Sequence, residues 1–95
     1  QGGQLRGSAR IEANEGAPQL SAAAGAAFAR WQEQLSTVLA DAGLDAGRAA
    51  QLATLVIAAV EGALVLCRAQ RRTDPMDAVG AELRAVLATA LESAS

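Results

Sequence analysis

A long apolar segment in the middle of the chain constrains its fold more than any other feature. Its sequence is Gln51-Leu-Ala-Thr-Leu-Val-Ile-Ala-Ala-Val-Glu-Gly-Ala-Leu-Val-Leu-Cys67, and it continues as far as Arg72. At 100° per residue, a helix here has two apolar faces and a narrow polar seam. One face holds Val56, Val60, Ala63, Leu64 and Cys67, the other holds Leu55, Ala58, Ala59, Gly62, Leu66 and Ala69, and the seam holds Thr54, Glu61, Arg68 and Arg72. Two apolar faces need two packing partners, so we expect the chain's own helices on one face and a second subunit or a missing part of the protein on the other.

The same segment is not expected to cross a membrane. The apolar run from Leu52 to Cys67 is shorter than the roughly 18 to 20 residues that span a bilayer. Glu61 lies near its middle, where a charge is costly in lipid. An ordinary core or interface helix is the better interpretation.

Size and composition favour an all-α chain that associates. A chain of 95 residues forms one small domain and buries only about two thirds of its unfolded surface, so oligomerisation would help to stabilise it. The hydrophobic fraction of 52% is carried mainly by alanine, with one Trp, one Phe and no Tyr. Alanine favours helices and lets them pack closely.

Charge and chemistry exclude several functions. The net charge is −2 and the arginines are scattered apart from Arg71 and Arg72, so we expect no cationic face and no binding of nucleic acid by this chain. There is no histidine and no cluster of metal-ligating residues, so no metal or other cofactor is expected. Without a nucleophile and base or an acid and base pair to assign, an enzyme is not expected.

The single cysteine and the start of the sequence both favour a cytoplasmic protein. Cys67 excludes an internal disulfide, and its apolar surroundings predict a buried, unreactive thiol in a reducing compartment. The chain begins with Gln1 and has no signal-peptide pattern. We therefore expect a piece of a longer cytoplasmic protein.

Helix signals divide the chain into a lead-in and three helices. The lead-in, residues 1–19, is expected to be irregular or to hold a short helix at 5–14, followed by a turn at 16–19 around Pro18. The three helices are predicted at 20–42, 46–72 and 75–92. The signals for the boundaries are Gly43 and Leu44 as a helix C-cap, Asp45 and Asp74 as N-caps, and Pro75 at a first helical position. The first helix has one predicted apolar stripe, which consists of Phe28, Trp31, Leu35, Val38 and Leu39.

Three stretches carry a resemblance to a known family. They are Ala27-Phe28-Ala-Arg30-Trp31 with Leu35 and Leu39, the segment from Leu55 to Ala69 around Glu61-Gly62-Ala63-Leu64, and Arg72-Thr-Asp-Pro75-Met76-Asp77 leading into Glu82-Leu83. Together they cover residues 27–87. Their order resembles the C-terminal ligand-binding and dimerisation domain of TetR-family transcription regulators, in the LmrA and YxaF-like branch.

The resemblance implies both an assembly and a ligand. It implies antiparallel helices, of which the central and last form a four-helix bundle across a homodimer. It also implies a small hydrophobic effector in the full-length protein, which is typically a repressor. The family's N-terminal helix-turn-helix domain is not in this sequence, so the parent protein would contact DNA only through that missing domain, and residues 1–95 would be a partial C-terminal domain.

Candidate site residues follow from the pattern and the resemblance together. The candidate ligand-binding residues are Phe28, Trp31, Leu35 and Glu61. The candidate dimer-interface residues are Val60, Leu64, Cys67, Arg68, Val79, Leu83, Val86 and Leu87. For Phe28 and Trp31 core packing is the default interpretation, and lining of an apolar ligand cavity, which the resemblance implies, is the alternative. Glu61, the one charge inside the apolar run, is either a surface or interface carboxylate or a polar anchor for an effector.

Two functions remain open from the sequence. One is an effector-binding and dimerisation domain of a repressor, and the other is a purely structural helical dimerisation module without a ligand. The sequence does not identify the effector or the controlled genes. If this segment holds a pocket, we expect it to be incomplete, because in the resembled family preceding helices roof the cavity.

Overall fold

The computed structural model describes the backbone of residues 2–94 and the side chains of residues 18–94. Three α-helices follow one another: α1 (Gly2–Asp41), α2 (Ala46–Gln70) and α3 (Asp74–Ala94), with no strand within residues 2–94. The all-α fold class predicted from the sequence is confirmed. The chain divides into two compact units, residues 1–30 and residues 31–95, and the core described below lies within the second.

The first helix is longer than the sequence signals suggest. A turn was predicted at residues 16–19, but α1 continues through Pro18 as one 40-residue helix. The short helix predicted at 5–14 is therefore part of α1. Proline inside a helix costs about 3 kcal/mol through a lost hydrogen bond and a clash of its ring. The alanines that follow Pro18 favour helix and offset part of this cost.

The connection between α1 and α2 forms as the sequence predicts. Gly43 has a φ of 118° and closes α1. Its N–H donates to the Ala40 carbonyl at 3.0 Å, and the Leu44 N–H donates to the Leu39 carbonyl at 3.1 Å. These two bonds define a Schellman motif, which includes a hydrophobic contact between the flanking residues. Leu39 and Leu44 are both buried in the same core cluster.

Asp45 is the N-cap of α2, which confirms the prediction. One carboxylate oxygen accepts from the Gly47 N–H and the other from the Arg48 N–H, both at 3.1 Å. The Ala49 N–H donates to the Asp45 carbonyl at 2.9 Å. The side chain thus satisfies two N–H groups that lack partners at any helix start.

The connection between α2 and α3 departs from the prediction in two ways. The helix α2 ends at Gln70 rather than Arg72, because Arg71 adopts the left-handed conformation with φ 53° and ψ 47°. The cap of α3 is Thr73 and not Asp74, since the Thr73 carbonyl accepts from the Asp77 N–H at 3.4 Å. Asp74 is the first residue of α3, and its carboxylate forms an ion pair with Arg72.

The core lies where the end of α1, the start of α2 and the end of α3 meet. The buried cluster consists of Leu39, Leu44, Ala49, Leu52 and Ala90, with Leu35, Ala40, Leu87 and Leu91 packed against it. Leu52 is the largest fully buried side chain. A core built from three leucines and two alanines is small, as expected for a short alanine-rich chain.

The predicted apolar stripe of α1 is only partly correct. Leu35 and Leu39 pack in the core, whereas Val38 is 61% exposed and Trp31 is 47% exposed. Val38 follows Leu35 by three positions but lies beyond the edge of the surface that α2 and α3 cover. The stripe is therefore narrower than hydrophobicity alone indicates.

Candidate functional site

An apolar groove runs along the surface between α2 and α3. It has a volume of about 320 Å³ and is lined by Leu55 and Ala59 of α2 and by Ala78, Val79, Glu82, Leu83 and Val86 of α3. Leu55 is 44% exposed and Val86 is 36% exposed. Glu82 is the one charged residue of the lining, and it has no ion-pair or hydrogen-bond partner within the described part of the chain. We call this feature the α2–α3 groove.

The open face of α2 extends beyond the groove. Leu66 lies on the same side of the helix as Leu55, about three turns further on, and is 45% exposed. Gly62 lies between them, and a Cβ added there would meet nothing within 4 Å. Leu52 and Ala63 of α2 are thus buried, whereas the neighbouring face centred on Leu55, Gly62 and Leu66 is exposed.

The structure separates the predicted interface residues into groups. Val79, Leu83 and Val86 line the α2–α3 groove. Leu87 packs against the chain's own core. Val60, Leu64 and Cys67 belong to another side of α2, where Val60 and Cys67 are half-buried and Leu64 is exposed. Arg68 is exposed near the end of α2.

The groove contains residues that the sequence did not assign to the interface. Leu55 and Ala59 were recognised as part of an apolar face, but the periodicity of α2 alone does not tell which face α3 covers. Glu82 is not among the candidate interface residues. The signal that identifies this face is the pair of small residues, Ala59 and Gly62, between the exposed leucines.

The candidate ligand-binding residues do not converge on a described cleft. Phe28 is half-buried within the first unit, and Trp31 is exposed within the second. Leu35 packs against the core cluster, and Glu61 is half-buried in the middle of α2. None of the four lines any of the three clefts described in this section.

The polar seam of α2 is mostly in contact with solvent. Thr54, Arg68 and Arg72 are exposed, and Glu61 is half-buried. Thr54 accepts a hydrogen bond from the Gln32 side-chain amide at 2.9 Å and donates to the Ala50 carbonyl at 3.0 Å. This contact joins the seam to α1, and the sequence pattern does not predict it.

Two further clefts lie at the ends of the α2 and α3 pair. The larger, about 680 Å³, is lined by Gly43, Leu44, Asp45, Arg48, Ala85, Val86, Thr89, Ala90, Ser93 and Ala94. The other, about 580 Å³, is lined by Cys67, Arg68, Arg71, Arg72, Thr73 and Asp74. Cys67 is therefore a half-buried thiol beside a polar cleft, which corrects the prediction of a buried one.

By length and composition, α2 is the one helix in the described part of the chain that could cross a membrane. The complete helix has 25 residues and a window of mean hydropathy 2.0, so the length argument drawn from the shorter apolar run does not hold. The evidence for a span is nevertheless weak, since the core helix of a soluble protein passes the same test. Glu61 near the middle of α2 also disfavours lipid.

The fold and the groove define a small helical domain whose central helix has a second face available for a partner. Residues 4–82 match the family model described as "Transcriptional regulator LmrA/YxaF-like, C-terminal domain". The chain belongs to this family of TetR-type regulator C-terminal domains, as the sequence resemblance indicated. No curated protein and no solved structure matches the chain.

Family membership fixes the general class of the molecule. C-terminal domains of TetR-type regulators take part in transcription regulation, are generally non-enzymatic and belong to proteins that are generally soluble. Effector binding and dimerisation are consistent with this class.

Proposed function

We propose that this chain is the effector-binding and homodimerisation domain of a cytoplasmic TetR-family regulator. In the full-length protein, a separate N-terminal domain would contact DNA, and a small hydrophobic ligand would release a repressor from it. The observation that supports the dimer is the open apolar face of α2 beside the α2–α3 groove. A second copy of the chain is the proposed occupant of that groove.

Self-association would cover three of the large apolar residues that the single chain leaves exposed. Leu55, Leu66 and Val86 are large, apolar and at least a third exposed. A side chain of this size contributes roughly 1 kcal/mol or more when its remaining apolar surface leaves water. A two-fold axis makes every such contact twice. In a four-helix bundle, α2 and α3 of each copy would then share one core.

The position of the interface can be tested with two arginine substitutions on α2. Leu64 lies about 180° from Leu55 around the helix, so the two leucines report on opposite faces. We expect Leu55→Arg to give a folded monomer, because two unpaired charges would be buried in the interface at a cost of several kcal/mol. We expect Leu64→Arg to stay dimeric. Sedimentation at micromolar concentration measures both.

Two further variants complete this experiment. Val38→Arg introduces the same charge at an exposed valine of α1 and should leave the dimer intact. Leu83→Arg should dissociate the dimer, and circular dichroism shows whether it remains helical. A folded wild-type monomer at micromolar concentration would refute the dimer. Dissociation by Leu64→Arg but not by Leu55→Arg would move the interface to the face predicted from the sequence.

Substitution of Gly62 should have opposite effects on the stability of the helix and on the affinity of the dimer. Glycine inside a helix costs about 0.5 to 1 kcal/mol relative to alanine, and a Cβ here meets nothing in the same chain. If a partner backbone approaches at Gly62, Gly62→Ala should strengthen the helix yet weaken association. Gly25→Ala is the matched control, since that Cβ also meets nothing within 4 Å. Equal effects of both variants on association would contradict close approach at Gly62.

A second candidate function is a structural dimerisation module without a ligand. The observation that favours it is that Phe28, Trp31, Leu35 and Glu61 line none of the three clefts described above. Size-exclusion chromatography together with a thermal-shift screen of small hydrophobic molecules separates the two functions. Saturable stabilisation that Trp31→Ala abolishes would support effector binding, and a dimer that no molecule stabilises would support the structural module.

A further inference from the structure

The cleft at the α2–α3 connection concentrates positive charge in an acidic chain. Its lining contains Arg68, Arg71 and Arg72, with Asp74 as the one acidic residue. The chain as a whole has a net charge of −2. Three guanidinium groups and one carboxylate around about 580 Å³ of space give the cleft the opposite sign. We call this feature the arginine cleft.

Two of the three arginines have no counter-charge among the side chains of residues 18–94. Arg72 pairs with Asp74, which neutralises the carboxylate that would otherwise repel an anion. Arg68 and Arg71 have no ion-pair or hydrogen-bond partner in the part of the chain that the structure describes. The cleft thus has two guanidinium groups whose donors are available to a ligand.

The helix dipole explains only part of this arrangement. Cations stabilise the negative end of a helix when they lie in its last turn, and Arg68 is the basic residue in that turn of α2. Arg71 and Arg72 lie beyond the helix, within the connection. The end of α2 carries about half a negative charge, and the start of α3 about half a positive charge. These two contributions cancel to first order, so the arginines determine the sign of the electrostatic potential in the cleft.

The backbone fixes where the arginines stand. Arg71 has φ 53°, a left-handed backbone conformation that residues other than glycine rarely adopt. Its N–H and that of Arg72 both donate to the Cys67 carbonyl, the latter at 3.1 Å. This carbonyl is therefore already occupied and does not project an unpaired dipole at a ligand. Arg68 in the last turn of α2 and Arg71 in the connection therefore line the same cleft.

We propose that the arginine cleft binds a small anion with at least two phosphate or carboxylate groups. Guanidinium groups donate paired hydrogen bonds to the oxygens of such groups. Thr73 also lines the cleft, and its hydroxyl group is able to donate a further hydrogen bond. Such a ligand would be distinct from a hydrophobic effector, and its site does not include the α2–α3 groove.

Pyrophosphate is the probe for this proposal, with citrate as the carboxylate counterpart. Each is titrated into the complete chain at constant ionic strength, because salt screens exposed charges, while the backbone amide resonances of residues 67–74 are followed by NMR. We expect saturable shifts confined to this connection, with half-saturation at millimolar concentration or below. The tighter of the two anions identifies the chemical class of the ligand.

The variants separate specific binding from general attraction to a positive protein surface. Arg71→Gln and Arg71→Gly should each weaken binding by about three- to tenfold, since each removes one charged donor. The glycine variant also relaxes the backbone, so it remains folded while losing affinity. Arg84→Gln, an equal charge change on the exposed side of α3, should leave affinity within about twofold.

Three outcomes would overturn the proposal. The first is the absence of saturable shifts with either anion, and the second is an equal loss of affinity in Arg84→Gln and Arg71→Gln. The third is tighter binding of a short random-sequence DNA duplex than of pyrophosphate at this connection, which would indicate recognition of a nucleic acid backbone.

Discussion

The two helix connections share one hydrogen bond but differ in the residues that make it. In each, the residue after the left-handed position donates to a carbonyl five residues earlier, Leu44 to Leu39 and Arg72 to Cys67, both at 3.1 Å. The first connection places glycine at the left-handed position and a leucine after it in the core. The second has arginine at both positions, exposed to solvent. The comparison predicts that the first connection contributes more to stability than the second, which presents charged side chains to solvent.

The largest difference between the connections should appear when the residue after the left-handed position is truncated. Leu44→Ala removes a side chain that is only 7% exposed, and we expect a loss of about 2 to 4 kcal/mol in the free energy of unfolding. Arg72→Ala removes an exposed ion pair and should cost less than about 1 kcal/mol. Urea denaturation at one fixed chain concentration measures both. Equal losses would show that the second connection is also structural.

The left-handed position of the first connection is the next to test. Gly43→Ala should cost about 1 to 2 kcal/mol, because a φ of 118° is unfavourable for any residue with a Cβ. The nearest atom to that Cβ would be the Ala94 Cβ at 3.9 Å, so the cost comes from the backbone and not from a clash. Thermal unfolding followed by circular dichroism measures it, and an unchanged midpoint would contradict it.

The acidic residues after the two connections should also differ. Asp45→Ala removes two capping hydrogen bonds, and we expect a loss of about 1 kcal/mol. Asp74→Ala removes a surface ion pair and should cost about half as much or less. Raising the salt concentration should reduce the second effect but leave most of the first, because salt screens exposed charges. A larger loss for Asp74→Ala in urea denaturation would contradict this.

The left-handed position of the second connection is where we expect a gain in stability. Arg71→Gly should raise the free energy of unfolding by about 0.5 to 1 kcal/mol, since glycine adopts the left-handed conformation without strain. Arg68→Gly is the contrasting variant, because it places glycine inside the last turn of α2 and should lower stability by a similar amount. A loss of stability in Arg71→Gly would mean that the arginine side chain contributes to the fold.

The sequence predicts the connections better than the surfaces. The capping roles of Gly43, Leu44 and Asp45 are predicted correctly, because these roles depend on residues only a few positions away along the chain. Pro18 is misread, since a local bias against helix is outweighed by the alanine-rich helix that surrounds it. Thr73 replaces Asp74 as the cap because adjacent polar residues offer two nearly equivalent helix starts.

The choice between the two apolar faces of α2 depends on tertiary packing. Leu55 and Leu52 are the same residue type on one helix, and the packing of α1 and α3 buries the second while the first stays exposed. Periodicity therefore finds both faces but does not tell which one is covered. The arginine cleft was missed for a related reason, since Arg68 and Arg71 appear as ordinary helix-end charges until the chain reversal places them around one cleft.

The composition of α2 also affects the chain before folding is complete. Before α3 packs against it, an apolar 25-residue helix such as α2 tends to associate with a bilayer or with another unfolded chain. The helix that covers one of its sides, α3, follows it directly in the sequence. Contacts between neighbouring helices form in about microseconds to milliseconds, because little chain entropy is lost in closing the connection. The order of the helices thus shortens the time during which α2 is exposed to misassembly.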